Sequence, residues 1–162
     1  MLSIVTLPDE LLRRGSEEIT DIDDTIRKLA EEMIDAMHIG NGIGLAGAQV
    51  GLLKRIFVVH VNRDEPRVFI NPTILETSVD EIDYEEGCLS IPGIYADVRR
   101  PAAVKIQAWN ERGRPFSLDA EGVLARVIQH EFDHLKGVLF IDYLSDRKRE
   151  KLLRQYDRMA RV

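Results

Sequence analysis

The chain has 162 residues, 44% of them hydrophobic, and a formal charge of −6 at pH 7. That length suits a single domain with a sizeable core, and no apolar run approaches the roughly 18 residues that a membrane span needs. An acidic body is a poor general binder of nucleic acid, so neither DNA nor a membrane is an expected partner.

The start of the chain lacks the cationic, long apolar and cleavage features of an export signal, so a cytoplasmic location is expected. Residues 1–162 read as one catalytic domain, without repeats, low-complexity segments or a linker. In chain order, Asp21 or Asp23 caps a helix running to about His38, with Ile22, Ile26, Leu29, Met33, Ile34 and Met37 as its apolar stripe. Asn41 and Gly42 end it, and a glycine-rich loop leads to Gln49. Residues 56–61 and 67–75 read as strands, the second broken at Asn71 and Pro72. Residues 79–84 form a third strand that delivers Cys88 just beyond its end. Residues 102–109 and 115–120 make a hairpin around Glu111, Arg112 and Gly113. A helix over 122–135 and a last helix over 145–161, capped by Ser145, complete the chain. The expected class is α+β: antiparallel sheets packed around the helix of residues 122–135, with an N-terminal and a C-terminal helix.

The helix of residues 122–135 carries the chemistry. Projected at about 100° per residue, Val123, Val127, His130 and His134 share one side. Leu124, Ile128, Phe132 and Leu135 occupy the adjoining arc, leaving Arg126, Gln129 and Asp133 on the remaining side. So wide an apolar arc implies a helix embedded in the core. Asp133 is given no role. His130 and His134, one turn apart, can offer two imidazoles to one metal ion, with Glu131 placed to handle the proton of a bound water.

A third ligand is needed. Phe140 stands where a metzincin protease would place a histidine, and a phenyl ring binds no metal. A thermolysin-like zinc endopeptidase would use a later glutamate; the candidate is Glu150, which lies in a charged stretch that reads as a solvated helix face. Cys88 is the better candidate. It is the one cysteine of the chain, so it has no disulfide partner, and its presence alone fits a reducing compartment. Gly87 precedes it, and two carboxylates and a serine flank it. Two imidazoles, one thiolate and an open fourth position make a catalytic zinc-type site. A non-catalytic metal-binding protein is a third reading, against which Glu131 counts.

Three motifs carry a resemblance: Gly42-x-Gly44-Leu45-Ala46-x-x-Gln49, Glu86-Gly87-Cys88-Leu89-Ser90, and Gln129-His130-Glu131-x-x-His134. In this order and spacing they resemble peptide deformylase over about residues 1–150. The one departure is Gly47, where the family usually has alanine; loss of that methyl is expected to loosen the loop. The resemblance implies removal of the formyl group from formylmethionine at the start of new polypeptides, with release of formate. It implies that Cys88, His130 and His134 hold the metal and that Glu131 is general base and acid. The Gln49 amide and the Leu89 backbone N–H would then bind the oxyanion. It further implies a methionine pocket of Ile43, Gly44, Glu86, Gly87, Val123, Arg126, Val127 and His130, with the Arg126 stem lining the pocket and its guanidinium in water. The implied ion is Fe2+ in the cell, replaceable by Zn2+, Ni2+ or Co2+; affinity order alone does not select it.

Two histidines remain. His38 ends a helix, where the dipole favours a cation, and His60 reads as a hydrogen-bonded strand residue. Neither is assigned to the metal. From Asp146 onward, seven basic residues face three acidic ones, a local +4 that leaves −10 for the rest. The plain reading is a solvated helix anchored by Leu152, Leu153, Tyr156 and Met159. The functional one is a weak, salt-sensitive contact with the ribosome.

Overall fold

The computed structural model describes residues 2–160. Its elements are α1 (Asp24–Ile39), β1 (Gly44–Ala46), β2 (Ile56–Val59), β3 (Arg67–Thr77), β4 (Glu81–Cys88), β5 (Ile91–Pro101), β6 (Ala103–Trp109), β7 (Pro115–Glu121), α2 (Gly122–His134) and α3 (Asp146–Ala160). An antiparallel sheet has the order β1-β2-β3-β6-β7, and β4 and β5 form a separate two-stranded ribbon. The class is α+β, with helices near both ends of the chain, as the sequence pattern predicts.

The sheet is covered on both faces, and β2 explains why. Its run Ile56-Phe57-Val58-Val59 has no polar position and is wholly buried. Alternation sends Ile56 and Val58 towards α1, where they meet Met33 and Met37. Phe57 and Val59 point the other way and pack with Ala125, Val127 and Ile128 of α2. A third cluster joins Ile91, Ile94 and Val98 of β5 to Phe140, Ile141 and Tyr156.

Asp23, not Asp21, caps α1, accepting the Ile26 N–H at 3.1 Å. Such a cap is worth about 1 kcal/mol. The fully buried positions of α1 are Ala30, Met33, Ala36 and Met37, with Ile22, Ile26, Leu29 and Ile34 packed along the edges.

Three strand expectations change. Asn71 and Pro72 do not end β3; they form a bulge where the register with β6 shifts, and the strand continues to Thr77. Asn71 adopts φ 49° and locks the bulge, its amide exchanging hydrogen bonds with the Ile19 N–H and C=O at 2.9 Å each. The third strand begins at Glu81, with Val79 almost wholly exposed, and it extends through Cys88. A further strand, β5, pairs with it from Cys88↔Ile91 to Glu81↔Pro101. Arg161, the expected end of the last helix, lies outside the described residues. No helix among the described residues is long and apolar enough to cross a membrane.

Candidate metal centre and active site

The centre forms where β4 ends against the C-terminal half of α2. Pairing with β5 breaks register after Gly87, and that irregularity turns Cys88 towards the helix. Its Sγ stands 3.4 Å from His134 Nε2, and one donor atom each from Cys88, His130 and His134 lies within 4.8 Å of the others. Zinc-type bonds of about 2.0–2.3 Å in a tetrahedron place sulfur and nitrogen ligands roughly 3.5 Å apart, which the Cys88–His134 separation matches, and all three donors are near enough to share one ion.

The ligands are held by a buried charged network. Glu86 Oε1 accepts from His130 Nδ1 at 2.9 Å, which leaves Nε2 with its lone pair for the centre. The same carboxylate receives Arg100 Nε at 2.6 Å, Arg100 Nη2 at 3.0 Å and Arg126 Nη1 at 2.8 Å. Burial works to raise the Glu86 carboxyl, but His130 and Arg100 outweigh it and hold it at about 2. The acid is therefore ionised throughout the physiological range.

Two expectations are overturned here. Arg126 does not keep its guanidinium in water: it is 5% exposed and bonds Glu86, the Val98 C=O and the Ile82 C=O. Five N–H donors in a fixed fork can be satisfied by the open carbonyls of the ribbon, which makes burial tolerable. Asp133, given no role from sequence, is equally buried and accepts from Arg100 at 2.8 Å and from the Tyr143 hydroxyl at 2.7 Å. Burial and that carboxylate push the Tyr143 phenol up to about 12. The polar side of α2 thus faces a charged interior, not solvent.

Glu131 is 3% exposed, and its Oε1 has no hydrogen-bond partner among the described residues. Burial is the main cause that lifts its carboxyl to about 7, despite the opposing pull of His130. A base poised near neutrality is suited to moving protons at pH 7. His134 is held well below its usual range, first by burial and then by His130, which favours the neutral imidazole that a ligand must be. For His130, burial lowers the value, yet Glu131 and Cys88 drive it well above normal. A bound cation would compete for the position of that proton.

Gln49 closes the centre from the opposite side. It is the third residue of the short 3₁₀ turn Gly47–Val50, its Oε1 accepts the Ala46 N–H at 2.9 Å, and its Nε2 reaches Ser90 Oγ at 3.1 Å and Cys88 Sγ at 3.4 Å. The expected loosening at Gly47 is not found. The residue is buried, and a methyl there would stand 2.7 Å from the Leu52 C=O and 3.0 Å from the Lys54 C=O. The turn is packed tight around glycine. Gly44 is constrained too: a methyl on it would collide with Glu131 and Val127.

These groups open into a cavity of about 560 Å³, a size suited to a small side chain and a stretch of backbone. All of the expected pocket residues, Ile43, Gly44, Glu86, Gly87, Val123, Arg126 and Val127, border it, as do Gln49, Leu89, Cys88, His130 and Glu131. Ile43 and Val123 are partly exposed at its rim. Sequence reasoning missed Tyr84 and Tyr95, which also border it; the Tyr95 ring lies directly over Gly87. The signal for Tyr95 was the alternation of β5, in which Ile94, Ala96 and Val98 point inward and Tyr95, Asp97 and Arg99 outward.

Comparison with known proteins decides the family. The model of the polypeptide deformylase family matches residues 1–150. The chain belongs to this family. The peptide deformylase of Borreliella burgdorferi is 50% identical over 158 residues, covering 97% of this chain and 96% of that protein. That of Rhizobium meliloti is 44% identical, with 98% and 94% covered. Among solved structures, the Ehrlichia chaffeensis deformylase in complex with actinonin superposes with a TM-score of 0.96 at 39% identity, covering 100% of this chain and 99% of that one. The Legionella pneumophila enzyme gives 0.95 at 38% identity, with 99% and 96% covered. This deformylase is accordingly a metal-dependent hydrolase that removes the N-formyl group from newly made polypeptides. The endopeptidase alternative has no support in the fold: Phe140 is buried against His130, and Glu150 is exposed on α3.

Proposed function

We propose that Cys88, His130 and His134 hold one divalent ion, and that Glu131 moves the protons of deformylation beside it. The observation that carries this reading is the juxtaposition of a cysteine sulfur and two imidazoles with a buried carboxylate whose Oε1 has no hydrogen-bond partner among the described residues. When bound, the ion supplies Lewis acidity, lowering the pKa of a coordinated water towards neutrality. Glu131 accepts the proton of the attacking water and returns it to the departing amine nitrogen. Gln49 Nε2 and the Leu89 N–H donate to the oxyanion. Removing one such donor typically costs about 10²–10³ in turnover.

The methionine side chain takes the cavity lined by Ile43, Gly44, Gly87, Val123 and Val127, whose aliphatic walls suit a flexible thioether. Glu86 and Arg126 contribute their aliphatic stems and hold His130 in place. Since a relative binds actinonin in this fold, this chain is also expected to bind it.

The iron assignment follows the family resemblance; the others follow length, the N-terminal sequence and the charge of the last helix. Residues 1–162 act as one catalytic unit in the cytoplasm. The native ion is Fe2+, with Zn2+, Ni2+ or Co2+ able to replace it. Exposed Arg147, Lys148, Lys151 and Arg154 on α3 form a weak, salt-sensitive contact with the ribosome. Reversing Arg147, Arg149 and Arg154 to glutamate is expected to spare activity on a free tripeptide and reduce co-sedimentation with ribosomes at low salt. Unchanged co-sedimentation contradicts that contact.

Formate release from formyl-Met-Ala-Ser tests the activity most directly, measured without oxygen on iron-loaded protein. Turnover that disappears on chelation and returns with Fe2+ supports the assignment. Endopeptidase cleavage without formate release overturns it.

A further inference from the structure

The two histidines outside the centre meet each other. His38, in the last turn of α1, places Nε2 at 2.8 Å from Nδ1 of His60, which follows β2. The ring planes are tilted by 60°. His60 Nε2 also lies 2.9 Å from the Asp64 carbonyl oxygen. A carbonyl only accepts, so His60 carries its proton on Nε2 and turns the Nδ1 lone pair towards His38. Tying the far nitrogen to a carbonyl is how ligating imidazoles are fixed in tautomer and orientation.

A metal ion can take the place of this hydrogen bond when the two rings turn so that both lone pairs converge on a point beside the N···N line. Bonds of about 2.0–2.1 Å to two nitrogens at a right angle set those atoms about 2.8–3.0 Å apart, whereas a tetrahedral angle needs roughly 3.3 Å. The observed 2.8 Å is set by the hydrogen bond and already falls in the right-angle range, so the rings need to turn but not to separate. Right-angled nitrogen sites suit Cu2+ and Ni2+. His38 is exposed, so water can fill the other coordination positions.

We propose that His38 and His60 form a second, surface metal site for a divalent ion of tetragonal preference, Ni2+ or Cu2+. Its position gives it a mechanical consequence. Residues 40–44, which border the cavity, run between the two ligands. That segment is hydrogen-bonded at both ends, Gly42 N–H to the Met37 C=O and His60 N–H to the Ile43 C=O, each 2.9 Å. An ion at the pair clips the end of α1 to the exit of β2 and so tethers one wall of the cavity.

The chain has four histidines and one cysteine, which makes the count decisive. Protein already holding one equivalent of Ni2+ is dialysed against micromolar Ni2+, and bound nickel is measured by elemental analysis. The parent is expected to retain two ions per chain, and His38→Gln and His60→Gln one each. Melting curves check that both variants fold, and the exposed His38 tolerates replacement even if His60 does not. One ion in the parent, or two in folded His38→Gln, overturns the proposal.

Discussion

Glu86 shows how much one side chain organises. It was legible in the sequence only as a motif residue beside Gly87, because nothing in a linear pattern says which cations will surround a carboxylate. In the fold it neutralises Arg100 and Arg126 and orients His130. Glu86→Gln leaves the buried Arg126 without a carboxylate and Arg100 with Asp133 alone, so a loss of about 3–5 kcal/mol is expected in denaturant unfolding. Metal affinity, measured by competition with a chelator, is expected to fall about 10–100-fold, since the support of a ligand is gone. Gly47 makes a separate point. Restoring the alanine usual in the family is expected to destabilise this chain by about 1–3 kcal/mol, because the methyl strikes the Leu52 and Lys54 carbonyls. An unchanged or raised melting temperature in Gly47→Ala contradicts that packing argument.

Elements with one strong period were readable, and those with mixed signals were not. The stripe of α1, the hairpin of β6 and β7, and the helix carrying His130 and His134 lie within a residue or two of their expected bounds. No strand was expected over β5: Pro92 and Gly93 are poor strand formers, and the inward series Ile94, Ala96, Val98 ends on a buried arginine, Arg100. Arg100 reads as surface until Glu86 and Asp133, far away in sequence, supply its partners. Pro72 read as a break because proline donates no ladder hydrogen bond, yet a bulge can absorb it. The amide of Asn71 holds that bulge, and Asn71→Ala is expected to cost about 2 kcal/mol through two lost hydrogen bonds and an unfavourable positive φ. Equal stability of the variant in urea unfolding means that the bulge is held by other contacts.

At the scale of the whole molecule, the buried network ties stability to pH. The folded protein holds Glu86 at about 2 against an ordinary 4.5, so its contribution is complete above 4.5 and fades as pH falls towards 2. That shift corresponds to about 3 kcal/mol, and a falling melting temperature across this window, blunted in Glu86→Gln, is the expected outcome. Glu131 behaves oppositely, its carboxyl being raised to about 7 by burial. Turnover by an ionised base therefore declines as pH drops, and a bound cation moves the midpoint of that decline below 7.

The central claim is that Glu131 moves protons and does not hold the ion. Glu131→Ala measures it, with metal content and formate release determined on the same sample. Near-stoichiometric metal with turnover down by several orders of magnitude is the predicted result. Loss of the metal, or turnover close to that of the parent, contradicts it.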